Sequence, residues 1–289
     1  MICPFPAGGP MDGVARATVE AVRKHLPRPM AVVNRPGGGG SIGSAEIMQA
    51  KPDGYTIGIG GFGTYAISPH MTDLPYKGPD DFAYIVGLTT LPVVFAVSGS
   101  SPHKTLREFL DASKANPGKL KVATSGTGTN VYLFAHWLKD ATKAGFIVAP
   151  YTGGGEPIAA VLGGHVDAAL ETTATVYPMT QAGKMRVLAV FEPNRITAAP
   201  DAPTLKELGI NVEASAYYFI LAPKGMPGAV VSVLENAFRK AAQEEMFLTY
   251  VRNTHQQVMT IGGEELLTKL RSDYAVFGRL VEQLGMKKP

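Results

Sequence analysis

The chain has 289 residues, 45% of them hydrophobic, with a net charge of +3 and a mean hydropathy of +0.06. That length and apolar content support two packed domains, and the 27 Lys and Arg residues are scattered without a basic stripe, which argues against a nucleic-acid partner. The single cysteine, Cys3, excludes an intrachain disulfide, and apolar runs such as 91–97 are far shorter than the roughly 20 residues a membrane-spanning helix needs.

In chain order, Met1-Ile2-Cys3 leads straight into Pro4-Phe5 with no basic or apolar leader, as expected of a chain whose secretory signal has been removed. Cys3 reads as a small buried residue of a first strand. The turn Pro6-Ala7-Gly8-Gly9 follows, then an amphipathic helix with Asp12 as its expected N-cap and Val19, Val22 and Leu26 on its apolar face. Strands are predicted at 31–34, 55–60, 93–97, 120–124, 146–151, 166–170, 186–191 and 217–222. Most are short continuous apolar runs, as in a sheet covered on both faces. Glycine turns recur between strand and helix, at Pro36-Gly37-Gly38-Gly39-Gly40-Ser41, Ser125-Gly126-Thr127-Gly128-Thr129 and Tyr151-Thr152-Gly153-Gly154-Gly155. From Pro227 onward the pattern is nearly all helix, with Val230, Leu234, Ala237 and Ala241 on one face, then Leu266, Leu270, Tyr274, Phe277, Val281 and Leu284. The alternation is that of an α/β protein.

Segments 98–102 and 222–227, each just after an apolar strand, are hinge candidates. They predict a discontinuous first domain, 1–98 and 223–289, and an inserted second domain, 99–222. The Gly8 turn then falls in one and the Ser125 turn in the other. A helix start leaves its first N–H groups unpaired and carries partial positive charge, and glycine lets an anion approach the backbone closely. One acidic ligand held by both turns is the expectation.

Other motifs need weighing. Gly39-Gly40-Ser41-Ile42-Gly43 matches G-x-S-x-G, so an α/β serine hydrolase using Ser41 is the rival reading. A nucleophile elbow needs its strand to run directly into the serine, whereas Asn34-Arg35-Pro36 and several glycines intervene, and Ser41 is expected as a helix N-cap. Gly58-Ile59-Gly60-Gly61-Phe62-Gly63 fits G-x-G-x-x-G, but Pro69 interrupts the long helix a dinucleotide site requires, leaving a loop at a strand end. His25, His70, His103, His136, His165 and His255 lack metal-ligand spacing, so no metal or cofactor is expected. Glu156 lies in a glycine turn and Glu171 ends a strand. Solvation or helix capping competes with ligand contact for both. Phe5, Phe62, Tyr65, Tyr151, Tyr217 and Tyr218 could line a binding cleft, though such residues more often fill cores.

Taken together, these segments resemble the periplasmic solute-binding proteins of tripartite tricarboxylate transporters, the Bug receptors. The resemblance runs over nearly the whole chain: Pro4-Phe5-Pro6-Ala7-Gly8-Gly9 with Asp12 and Ala15-Arg16, Asn34-Arg35-Pro36-Gly37 with Gly43, Pro52-Asp53-Gly54-Tyr55-Thr56, Ser125-Gly126-Thr127-Gly128-Thr129, Pro150-Tyr151 with Gly153, Gly183-Lys184-Met185-Arg186-Val187-Leu188-Ala189-Val190 and Ala202-Pro203-Thr204-Leu205. Met11, Tyr132, Thr152 and Glu156 depart from the family's usual residues. The resemblance implies a two-lobed α/β fold like that of periplasmic binding proteins, with a hinge and an interlobe cleft. It implies a monomeric, non-enzymatic receptor in the periplasm that binds a small organic carboxylate and delivers it to membrane permease subunits. A sensor that presents its ligand to a signalling partner is the further alternative. The expected ligand-binding residues are Phe5, Ala7, Gly8, Phe62, Ser125, Gly126, Thr127, Gly128, Thr129, Tyr151, Glu171 and Tyr217.

Overall fold

The computed structural model describes residues 1–153, 155–212 and 214–288; Gly154 of the fourth glycine turn lies outside them. The chain divides into two compact units, Met1–Thr90 with Tyr217–Pro289, and Leu91–Ala216. Unit 1 opens with β1 (Ile2–Cys3), α1 (Pro10–Val22), β2 (Val33–Asn34), α2 (Ser41–Gln49), β3 (Gly58–Gly61), α3 (Phe62–Ala66) and α4 (Ser68–Met71). The long β4 (Phe82–Ser98) leads into unit 2, which holds α5 (Leu106–Ala115), β5 (Lys121–Thr124), α6 (Asn130–Thr142), β6 (Ile147–Pro150), α7 (Gly155–Leu162), β7 (Ala168–Thr172), α8 (Thr173–Gln181) and β8 (Met185–Val190). The chain returns through β9 (Ser215–Pro223), and unit 1 closes with α9 (Gly228–Ala241), α10 (Glu245–Asn253), β10 (Gln257–Val258) and α11 (Gly263–Gln283).

The units part within strands, between Thr90 and Leu91 in β4 and between Ala216 and Tyr217 in β9, and not in the loops 98–102 and 222–227 that sequence favours. A strand can do this when its partners change along its length. β4 pairs with β10 up to Thr90↔Gln257 and takes up β7 from Val93↔Thr172. Pro92, which has no N–H to give a ladder, falls in the gap between the two registers.

In unit 1 the strand order is β2-β1-β3-β9-β4-β10, with β1 parallel to β2 and β3, and β9 antiparallel to β3. In unit 2 the order is β8-β4-β7-β5-β6, with β5 parallel to both neighbours and β4 antiparallel to β7 and β8. Parallel strands require crossover helices, and these bury their apolar stripes on the sheets. The unit 1 core joins Val14, Ala15 and Val22 of α1 to Ile59, Ile85, Leu88 and Ile220, with Phe238 and Phe247 from the C-terminal helices. In unit 2, Ile158 and Val161 of α7 and Val176 of α8 cover Val94, Ala96, Ala123 and Ala169. Phe95 packs edge-on against Phe109 of α5, centroids 5.0 Å apart. Each such fully buried aromatic or aliphatic side chain contributes about 1.5–3 kcal/mol.

Local corrections follow from the caps. α1 is capped by Gly9, with Pro10 at its first position, so Asp12 sits inside the first turn and not at the N-cap. Leu26 lies beyond the end of α1 at Arg23. The N-cap of α2 is Gly40, with φ +96°, a conformation costly for any residue with a Cβ, and Ser41 is the first helical residue. After β3 the chain forms the five-residue α3 and then α4, short helices where the sequence reads as a loop. Cys3 is buried in β1, and burial pushes its thiol up to about 11.

Candidate ligand-binding turns

The first turn joins β1 to α1 and is fixed by one hydrogen-bond network. Gly8 donates its N–H to Asp12 Oδ2 at 2.9 Å, and Arg16 Nε reaches the same oxygen at 2.8 Å. Asn34, at the end of β2, donates from Nδ2 to Asp12 Oδ1 at 2.9 Å and to the Phe5 carbonyl at 3.0 Å. The two motifs, Pro4 to Asp12 and Asn34-Arg35-Pro36, thus meet around one buried carboxylate. Burial alone would raise the Asp12 pKa, but hydrogen bonds from Arg16, Gly8 and Asn34 hold it below the ordinary carboxylate range. The Gly8 N–H is therefore taken by the protein. Ala7 is exposed, and its N–H has no acceptor among the described residues.

The second turn joins β5 to α6. Gly126 has φ +86°, and its N–H donates to the Thr124 carbonyl at 3.0 Å. Thr129 is the N-cap of α6: its hydroxyl donates to the Gly126 carbonyl at 2.9 Å and accepts the Tyr132 N–H at 3.3 Å. That hydroxyl is spent on the cap, a contribution of about 1 kcal/mol to the helix, and has no proton left for a ligand. Thr127 is exposed, with its N–H unpaired among the described residues. Around the turn collect buried polar atoms with no partner among the described residues: Thr124 Oγ1, Asn130 Nδ2 and Glu171 Oε1. Native interiors rarely leave such groups unpaired, and each one asks for a ligand or a water.

Glu171 ends β7 at 2% exposure. Burial pushes its carboxyl up to about 8, against the pull of hydrogen bonds from the Ser125 hydroxyl and the N–H groups of Ser125 and Thr172. Tyr151 is half-buried on the unit 2 core, its N–H bonded to the Thr124 carbonyl at 2.8 Å. In unit 1, Phe5 is half-buried against the core. Phe62 and Tyr217 are stacked 4.9 Å apart at 13°, each 2% exposed, and the Tyr217 hydroxyl donates to Asp273 at 2.5 Å. Tyr65 is fully buried and bonds Ser44 at 2.8 Å. Phe62, Tyr65 and Tyr217 are thus core residues of unit 1. Asn34, Thr124 and Asn130 are polar groups at the turns to which the sequence reading gives no site role; for Asn34 the available signal is an amide at a strand end beside a proline-glycine turn.

Among the described residues no group of three His, Cys, Asp or Glu is placed to hold a metal ion, and no helix is long and apolar enough to cross a membrane. Ser41 stands outside any strand-to-serine turn, because Arg35 to Gly40 separate it from β2.

Residues 14–286 match the family described as the tripartite tricarboxylate transporter family receptor, TctC. The chain belongs to this family. A Cupriavidus necator relative, described as a UPF0065 protein in the gbd 5′ region, is 34% identical over 83% of this chain and 73% of its own length. Among solved structures, the periplasmic binding protein BugD superposes with a TM-score of 0.94 at 27% identity, over 100% of this chain and 98% of that one. MatC from Rhodopseudomonas palustris with bound malate gives 0.90 at 26% identity, over 97% of each chain. The TctC fold is that of two-lobed periplasmic binding proteins, and the two units described above are its lobes.

Proposed function

We propose that this TctC-family chain is a periplasmic, non-enzymatic receptor that binds a small organic carboxylate through the donor groups of its Ser125 turn and delivers it to membrane permease subunits. The observation that carries the reading is the Ser125 turn, where an exposed unpaired N–H and several buried unpartnered polar atoms collect at the start of a 13-residue helix. In its own unit, Ala7 offers an exposed N–H with no acceptor among the described residues. Each hydrogen bond to a charged group contributes about 1.5–3 kcal/mol. A few of them, with burial of the ligand's carbon body, approach the roughly 8 kcal/mol of micromolar binding. Malate bound to MatC supports a carboxylate as the ligand class.

Binding to the folded form alone raises the melting temperature by mass action. Across a panel of malate, succinate and adipate, at least one acid is expected to raise it while its diamide does not; equal shifts by acid and amide would sink the anion site. Membrane vesicles carrying the cognate permease should take up that acid only when the receptor is added. A hydrolase would behave otherwise. Ester turnover is expected to be undetectable in the parent chain, and Ser41→Ala is expected to leave the binding constant unchanged. Turnover abolished by that substitution would restore the rival reading.

A further inference from the structure

Glu171 is a buried acid bonded by Ser125, the first residue of this turn. The parallel register of β5 and β7 pairs Val122 with Ala168 and Ala123 with Ala169, so Ser125 and Glu171 fall at matching positions two residues on. The Ser125 hydroxyl and N–H face the carboxyl together with the Thr172 N–H, while Oε1 meets no donor among the described residues. We propose that Glu171 positions this turn as an uncharged carboxylic acid, and that its ionisation closes the turn to anionic ligands. The inference rests on the reading that the turn binds a carboxylate, and it assigns that site its regulation.

Among the described residues no cation pairs with the carboxyl. β4 opposes it with Val94. On α7, Glu156 turns to the Thr152 N–H at an exposed position. On α6, His136 packs against Tyr132 and Asp140 pairs with Lys143, while Lys139 lies one turn from the C-terminal end. On α8 the titratable group is Tyr177. Asp167, ahead of β7, takes the Lys121 N–H at the far end of β5. The groups that bond the carboxyl are Ser125 and Thr172, which are uncharged. A buried anion without a cation is strongly disfavoured, so the acid holds its proton, consistent with a carboxyl pushed up to about 8. Once the proton leaves, a negative charge lies in the same turn as the Thr127 N–H that a ligand carboxylate needs, and the two anions repel in a low-dielectric setting.

Calorimetry with malate, or with whichever panel acid binds, tests this on the parent chain and on Glu171→Gln from pH 6.5 to 9. The acids stay ionised throughout that window, so the ligand does not titrate. For the parent, the dissociation constant is expected to hold steady to about pH 7 and rise about tenfold by pH 9, as linkage to one proton requires. Glu171→Gln is expected to abolish this pH dependence. A parent affinity flat to pH 9, or an undiminished rise in the variant, overturns the inference while leaving the carboxylate reading intact. Binding of no acid at any pH overturns both. Ligand-free melting gives an independent readout. Because the folded pKa lies above the unfolded one, the stability this group confers is complete below the unfolded value near 4.5 and is lost as pH rises to the folded value near 8. The melting temperature of Glu171→Gln relative to the parent should therefore climb between pH 5 and 8 and then level off. No climb also counts against an uncharged Glu171.

Discussion

Replacing Gly126 by valine is expected to abolish carboxylate binding, weakening it by more than about a hundredfold, or about 3 kcal/mol. Gly126 holds φ +86°, and a Cβ added there would lie 3.3 Å from the Tyr151 carbonyl oxygen. Holding the turn costs about 1–2 kcal/mol of left-handed strain and crowds the Tyr151 carbonyl; swinging out relieves both, and the Thr127 N–H then loses its aim. Gly118→Val is the matched control: Gly118 has φ +79° with no atom within 4 Å of an added Cβ, so it bears the same strain away from the turn. Calorimetry with malate or another panel acid on the two variants separates strain from site. If Gly126→Val binds as tightly as Gly118→Val, the ligand does not use this turn.

Asp12→Ala is expected to cost about 2–4 kcal/mol of folding stability. Asp12 is 3% exposed, and its loss strands the Gly8 N–H and the Asn34 amide that it satisfies. Arg16 is half-exposed and returns to water at little cost, so the penalty comes mainly from the lost hydrogen bonds to Gly8 and the half-buried Asn34 and from the space the carboxylate filled. Asp12→Asn keeps the shape and removes the charge. Its signature is in acid: the folded Asp12 pKa is depressed, so the parent's extra stability is present above the unfolded value near 4 and lost as pH falls through the folded one. Urea unfolding at pH 7 and at descending pH should show the parent and Asp12→Asn converging in acid. A constant gap down to pH 2 would show that the carboxylate does not stabilise the fold through its charge.

The alternation of strand, glycine turn and helix is legible in sequence because parallel strands buried on both faces write continuous apolar runs. Val122, Ala123 and Thr124 of β5 and Ala168, Ala169 and Leu170 of β7 are such runs, all fully buried. The N-terminal half of β4 is hidden because Gly87 and Pro92 read as breakers, and the change of pairing partners along the strand explains why Pro92 is tolerated there. β10 is two exposed residues, too short to carry a period. At the site, glycine marks the turns because the backbone conformation itself demands it. The partners do not announce themselves: Asn34 matters only because β2 ends beside Asp12, a tertiary fact. Phe62 and Tyr217 show the converse. An aromatic side chain in a core and one facing a ligand look alike in sequence, and these two stack on each other.

Both turns reach their shape through groups of the chain itself, Asp12 and Asn34 at one and the Thr129 cap at the other. In kinetic terms the ligand meets turns that are already folded. Their ordering cost is incurred when the protein folds and not on each encounter, so it does not subtract from the affinity. Differences in affinity among carboxylates should then appear in how slowly each leaves, with similar rates of arrival.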